Sequence, residues 1–375
     1  MAVPGLVLYL PFKGVFFVAE QSANAIWEKR VLDRFNSWFT TRDGRTGIRV
    51  LASTTSGPGI RLFRNRALLE GDASFTTQYG VKFRQDQLLS LDWPDGRLVP
   101  GNLTFTGQFR TRTVEKYYGI GNATPVSAIT DYLQEDGIVQ FVYRPPGRGG
   151  LSGALDISYH TLYTEGGQDG TVPNTDTVFS QVQAPGLGNR AHFLRFGAST
   201  QLNYVDVPGS PTRGSLTGVR VGYSHTLDNE ALNYLSLSAV TEHFTELFAG
   251  RTISLKAGTD WRVASSGSNQ IPFYGLASIG GEQVLLGYER SRFRDRGVVH
   301  AAVTYRFPIW FYWDGLIFYE RGRTLHQPSD FTFSGWKDSI GGGFRLWTRE
   351  GALLNFLVAR SSQQIRIIFN FNSGF

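Results

Sequence analysis

The chain has 375 residues, a net charge of +6 from 37 Lys and Arg against 31 Asp and Glu, and no cysteine, which excludes disulfides and thiolate metal sites. Aromatics reach 14% and glycine 44 positions, yet mean hydropathy is −0.18, too polar for a bundle of membrane helices. No apolar run approaches the roughly 18 residues a spanning helix needs. Lysine occurs only at positions 13, 29, 82, 116, 256 and 337, so the basic excess is arginine. Those arginines alternate with apolar residues and never form a basic run. That argues against nucleic acid and for a polar interior where Arg faces carboxylates.

Residues Met1 to Ala19 are apolar, but they lack a basic start and are broken by Pro4, Pro11 and Lys13. Ala23-Asn24-Ala25 imitates a cleavage site, yet the expectation is a mature or trimmed chain rather than one with a signal peptide. From Pro11 to Phe39 the apolar spacing is helical, with Trp27, Val31, Leu32, Phe35, Trp38 and Phe39 at three- and four-residue steps. Segment 1–44 is therefore expected to be an N-terminal helical unit. It either lies amphipathically on the periplasmic membrane face or packs on the rim of the remainder.

After Gly44 the period becomes two. In 253–262, Ile253, Leu255, Ala257, Thr259 and Trp261 alternate with Ser254, Lys256, Gly258, Asp260 and Arg262. The segments are longer than soluble strands, with one greasy and one polar face, which suits lipid outside and water inside. Sixteen are predicted, at 45–54, 58–66, 72–80, 86–93, 102–114, 131–144, 151–163, 192–205, 214–226, 231–243, 250–262, 298–308, 314–323, 337–347, 352–360 and 364–375. Short turns such as 145–150 and 348–351 alternate with the long connections 115–130, 164–191 and 263–297. The fold class predicted is all-β, a closed antiparallel transmembrane barrel over 45–375. Its first and last strands should pair, because lipid offers no partner to a free edge.

Enzyme motifs are absent: there is no Gly-x-Ser-x-Gly, P-loop or His-Glu-x-x-His, and the six His are scattered. The expectation is a protein that is not an enzyme and uses neither metal nor cofactor. Trp310, Phe311, Tyr312 and Trp313 cluster at a predicted turn and fit an interfacial girdle. Gly341-Gly342-Gly343 lies within a strand and fits bending or close packing.

The last strand carries Ile365, Ile367, Phe369, Phe371 and Phe375 on one face, and this resembles the C-terminal recognition signal of outer-membrane barrels. Stretch 279–323 holds Gly280-Gly281, Leu286-Gly287-Tyr288, Arg290, Arg292-Phe293-Arg294-Asp295 and Phe318-Tyr319-Glu320-Arg321-Gly322. This order, with Tyr117-Tyr118-Gly119-Ile120-Gly121-Asn122 near the third loop, resembles the BamA/TamA superfamily of outer-membrane assembly and secretion barrels, the bacterial surface antigen family.

The resemblance implies a sixth surface loop tucked into the lumen. The Arg of its hydrophobic-Arg-Gly-aromatic motif would meet the acidic residue of a Phe-x-Asp-x-Gly strand motif. Here the motif Arg is Leu286, while Phe318, Glu320 and Gly322 keep the strand side. Arg290, Arg292 or Arg294 is therefore expected to supply charge to Glu320. About 44 residues precede the first strand, too few for a POTRA domain, so the chain is expected to be trimmed or from a branch without them.

The function implied is assembly or translocation at a bacterial-type outer membrane, handling or anchoring other envelope proteins through a weak seam between the first and last strands. Outer-membrane lipid and lipopolysaccharide would be the other partners. A plugged scaffold barrel and a passive pore are the alternatives.

Overall fold

In the computed structural model the described residues are 39–53, 57–80, 84–94, 96–207, 209–228, 232–265, 270–281, 284–310, 312–348 and 351–372. The helical pattern before residue 39 lies outside them. Phe39 and Thr40 lie against the first strand: Phe39 C=O accepts the Ile48 N–H at 2.8 Å, and Thr40 bridges Gly47.

Alternating apolar residues with β-branched and aromatic side chains favour extended backbone, and the strands follow that pattern. They are β1 (Thr46–Ser53), β2 (Gly59–Leu68), β3 (Gly71–Tyr79), β4 (Gln85–Trp93), β5 (Asn102–Tyr117), β6 (Thr130–Arg144), β7 (Leu151–Gly166), β8 (Arg190–Val205), β9 (Gly214–Thr226), β10 (Tyr234–Phe248), β11 (Arg251–Ala264), β12 (Ala277–Ile279), β13 (Phe293–Asp295), β14 (Gly297–Trp310), β15 (Trp313–Leu325), β16 (Lys337–Thr348), β17 (Gly351–Ser361) and β18 (Ile365–Asn372). Sixteen form one antiparallel ring in chain order, with β11 passing directly to β14. β12 and β13 form a separate two-stranded hairpin inside the connection between them.

Several strands outrun their apolar pattern. β5 and β6 extend into the predicted connection 115–130, leaving a surface loop of 118–129. A bulge between Arg112 and Glu115 reverses the facing of β5 there and turns Glu115 inward.

β1 meets β18 over three opposed pairs among the described residues: Leu51 with Asn372, Ala52 with Phe371 and Ser53 with Asn370. The neighbouring pair of β17 and β18 opposes seven. The ring is therefore complete, and among the described residues its seam is the junction with the fewest opposed pairs.

Outward residues are apolar and open, as at Leu255, Ile317 and Ile367. On β18, Ile365 and Ile367 point out, while Arg366 and Ile368 point in. Phe369 and Phe371 lie on this strand, and Phe375 falls outside the described residues. Inward arginines meet carboxylates. Arg220 reaches Asp156 at 2.7 Å, Arg345 reaches Asp314 at 3.0 Å and Arg110 reaches Asp136 at 3.4 Å. No helix among the described residues is long and apolar enough to cross a membrane. Between β14 and β15 Tyr312 is exposed, and Trp313 packs on Phe344 with ring centroids 5.5 Å apart.

Candidate functional site

The connection between β11 and β14 crosses the lumen. Its core is Ala277, Ile279, Val284, Leu285, Tyr288 and Phe293, all buried with Val298. One end rests on the inner wall of β15 to β18, the other on the inner wall of β5 and β6.

At the first wall, Leu286 N–H donates to Glu320 Oε2 at 2.8 Å and Gly287 N–H to Ser339 Oγ at 2.9 Å. Ser361 Oγ donates to Gly287 C=O at 2.8 Å. Arg366 Nη1 donates to the carbonyls of Gly281 (2.9 Å), Leu286 (3.0 Å) and Tyr288 (2.7 Å). The Leu286 side chain packs against Phe318, Ala359 and Ile368. Tyr288 Oη lies 3.1 Å from Ser362 Oγ.

Two glycines permit this approach. A Cβ on Gly287 would fall 2.6 Å from the Arg360 carbonyl carbon and 2.7 Å from Ser361 N, both main-chain atoms. On the strand side, a Cβ on Gly322 would fall 2.2 Å from Ile279 Cδ1.

The loop arginines lie elsewhere than at Glu320, and this corrects the expected pairing. Arg290 Nη1 is 3.9 Å from Glu115, a carboxylate that also meets Arg84 and Arg112. Arg292 stacks on Tyr118 at 4.0 Å and on Phe293 at 4.6 Å. It donates to Thr124 Oγ1 (2.8 Å), Thr124 C=O (2.7 Å) and Gln363 Oε1 (2.9 Å). Arg294 Nη2 donates to Tyr132 Oη at 2.9 Å, and its carbonyl accepts the Gly121 N–H at 2.7 Å. The side chains of Arg290, Arg292 and Arg294 are spent on Glu115, Thr124 and Tyr132, so main-chain N–H takes the place of the missing cation at Glu320.

Burial sets the electrostatics at the far end. It lowers the pKa of the Arg292 guanidinium, whose partners there are neutral oxygens and ring faces. Burial, reinforced by Glu289, pushes the Tyr118 phenol up to about 12. Asn122 ties the third loop to the seventh: its Nδ2 donates to Gly335 C=O at 2.6 Å and its Oδ1 accepts the Thr324 N–H at 3.2 Å. At the short-turn end, a cavity of about 550 Å³ is lined by Gln140, Arg144, Asp156, Gln201 and Arg220 among others.

Arg366, Ser339 and Ser361 carried no motif signal. Each is a single polar residue on an alternating strand. Only the inward facing of Arg366 was legible.

No family model matches the chain, and no curated protein matches it. Among solved structures it is similar to BamA from Haemophilus ducreyi lacking POTRA domains 1–3, at 14% identity and TM-score 0.62, covering 88% of this chain and 69% of that one. It is also similar to CdiB from Acinetobacter baumannii, at 10% identity and TM-score 0.53, covering 88% of this chain. CdiB from Escherichia coli matches at 10% identity and TM-score 0.55, over 87% of this chain. This chain spans 59% and 62% of those two CdiB chains, under two thirds of either. The chain thus has the fold of outer-membrane β-barrels of the BamA and CdiB type.

Proposed function

We propose that this chain is a non-enzymatic outer-membrane barrel of the assembly or translocation type, which handles partner proteins of the envelope through the junction of β1 and β18. Outer-membrane lipid, lipopolysaccharide included, covers its apolar exterior. The observation that carries the reading is the seam, three opposed pairs among the described residues beside a neighbour of seven, in a barrel whose lumen is already crossed by its own loop. Opening a junction exposes unsatisfied backbone to lipid, so an opening would occur where the described residues oppose in the fewest pairs. The lumen loop weighs against a passive pore.

The test is a disulfide across the seam, and the absence of native cysteine makes it clean. Ser53 and Asn370 are opposed in the register, so Ser53→Cys with Asn370→Cys is the pair to oxidise. Leu51 opposes Asn372, so a pair joining Val50 to Phe369 would be out of register. The oxidised protein should stay heat-modifiable on gels and lose its cellular role, with recovery on reduction. A locked seam that leaves the role intact would refute handling and favour a scaffold barrel. That second reading has support in the number of bonds fixing the loop to both walls.

A further inference from the structure

We propose that the inner wall of β15 to β18 is a receptor for polypeptide main chain, occupied at rest by the chain's own residues 284–288. In trans it would take a client segment in which an apolar residue, a glycine and an aromatic residue follow one another. This deepens the translocation reading and rests on it, because it names the chemistry by which a client would be held.

The wall groups form an ordered array. Glu320 opposes Ser339 across β15 and β16, and Ser339 opposes Ser361 across β16 and β17. All three belong to the inward set and stand in one row. Arg366 stands below the row on the same face, opposite Ala359 of β17.

These groups give themselves to main chain. Two acceptors, Glu320 and Ser339, take the N–H groups of successive residues 286 and 287. Two donors, Ser361 and Arg366, take the carbonyls of successive residues 286, 287 and 288. Acceptors and donors thus grip three residues from both sides of the peptide units, and main-chain hydrogen bonds read no side-chain identity. With the loop seated, Glu320 (4% exposed) and Ser339 (1%) are buried and take these partners, and its departure would open both to the lumen.

Side-chain selectivity enters at three adjoining places. Leu286 lies on the apolar patch of Phe318, Ala359 and Ile368. Residue 287 admits no Cβ, because Arg360 and Ser361 main chain stands 2.6–2.7 Å from where one would be. Tyr288 reaches Ser362 with its hydroxyl. The resident loop fits as one example of a class, and its tether gives it an effective concentration on the order of millimolar, so a trans segment binds only where the loop has left.

The experiment measures binding of a fluorescent hexapeptide, Val-Leu-Leu-Gly-Tyr-Glu, to the full-length chain in nanodiscs by anisotropy. Gly287→Ala should eject the loop and vacate the receptor. A second variant with 284–289 deleted and bridged by two glycines removes the resident main chain itself, should the first fail to fold by heat-modifiability. Either vacated protein should bind the peptide at least tenfold more tightly than wild type. Arg366→Gln in the vacated background, or Ala for Gly in the peptide, should each lose at least tenfold. Equal binding to wild type and vacated protein overturns the proposal, as does binding indifferent to both changes. The seam lock reads the other claim separately. Peptide capture with a harmless lock would keep the receptor and refute translocation, and a damaging lock without capture would refute the receptor alone.

Discussion

Glu320 receives the main-chain N–H of Leu286 at 2.8 Å, at the place where the motif of the resembling family would set a guanidinium against a carboxylate. The Leu286 side chain is spent on the apolar patch of Phe318, Ala359 and Ile368. The loop is therefore anchored through its backbone on one side and by Arg366 of the last strand on the other.

Removing that acceptor should loosen the loop. Glu320→Ala leaves a buried N–H unpaired, at a cost of about 1–3 kcal/mol, while Glu320→Gln keeps an acceptor oxygen and should cost under about 1 kcal/mol. Proteolysis within 279–297 on folded barrels measures it. Equal cleavage of the two variants would show that the bond to Leu286 contributes nothing.

At the far end, Arg292 is 1% exposed and lies over Tyr118 and Phe293 while it donates to Thr124 and Gln363. Lysine keeps the charge and loses both the planar stacking and the forked donors. Arg292→Lys should therefore release the loop from the third-loop side at a cost of about 1–3 kcal/mol. Thermal unfolding of the barrel, followed by its gel shift, should show a lower midpoint; an unchanged midpoint contradicts the assignment.

Leu255 is 53% exposed on the outer face of β11, next to inward Lys256. Leu255→Arg should destabilise by about 2–4 kcal/mol if it lies near the bilayer midplane, whereas Lys256→Gln should stay within about 0.5 kcal/mol. Denaturant unfolding in liposomes separates them, and equal effects would mean that the facing is reversed.

Alkaline pH should strain the contact at Tyr118, whose phenol is pushed up to about 12 by burial and by Glu289. A raised folded-state value means that this group's contribution is intact below pH 10. The contribution falls as pH rises from 10 toward 12, by up to about 1.4 kcal/mol per pH unit, because only the unfolded chain ionises there. Wild type should lose stability relative to Tyr118→Phe across that window. Parallel pH profiles for the two proteins would exclude Tyr118 as the group.

Sequence alone determined the sixteen ring strands, though not the β12 and β13 hairpin or the far ends of β5 and β6. The period of two with one apolar face is a local property, written within each segment, and for 214–226 it placed both ends of β9 where they stand. It also determined the inward set, Lys256 against Leu255 and Arg366 against Ile367, because alternation leaves only two faces. Tertiary structure decided what those inward residues meet. Glu320 and Leu286 are 34 positions apart, and Arg292 and Thr124 are 168 apart. Their meeting depends on the register of every intervening strand and on how the hairpin of β12 and β13 turns within the ring. Neither quantity leaves a trace in a two-residue period. An arginine on an alternating strand reads the same whether it grips a loop carbonyl or faces water, and only the closed ring, by bringing β18 beside the lumen loop, distinguishes them.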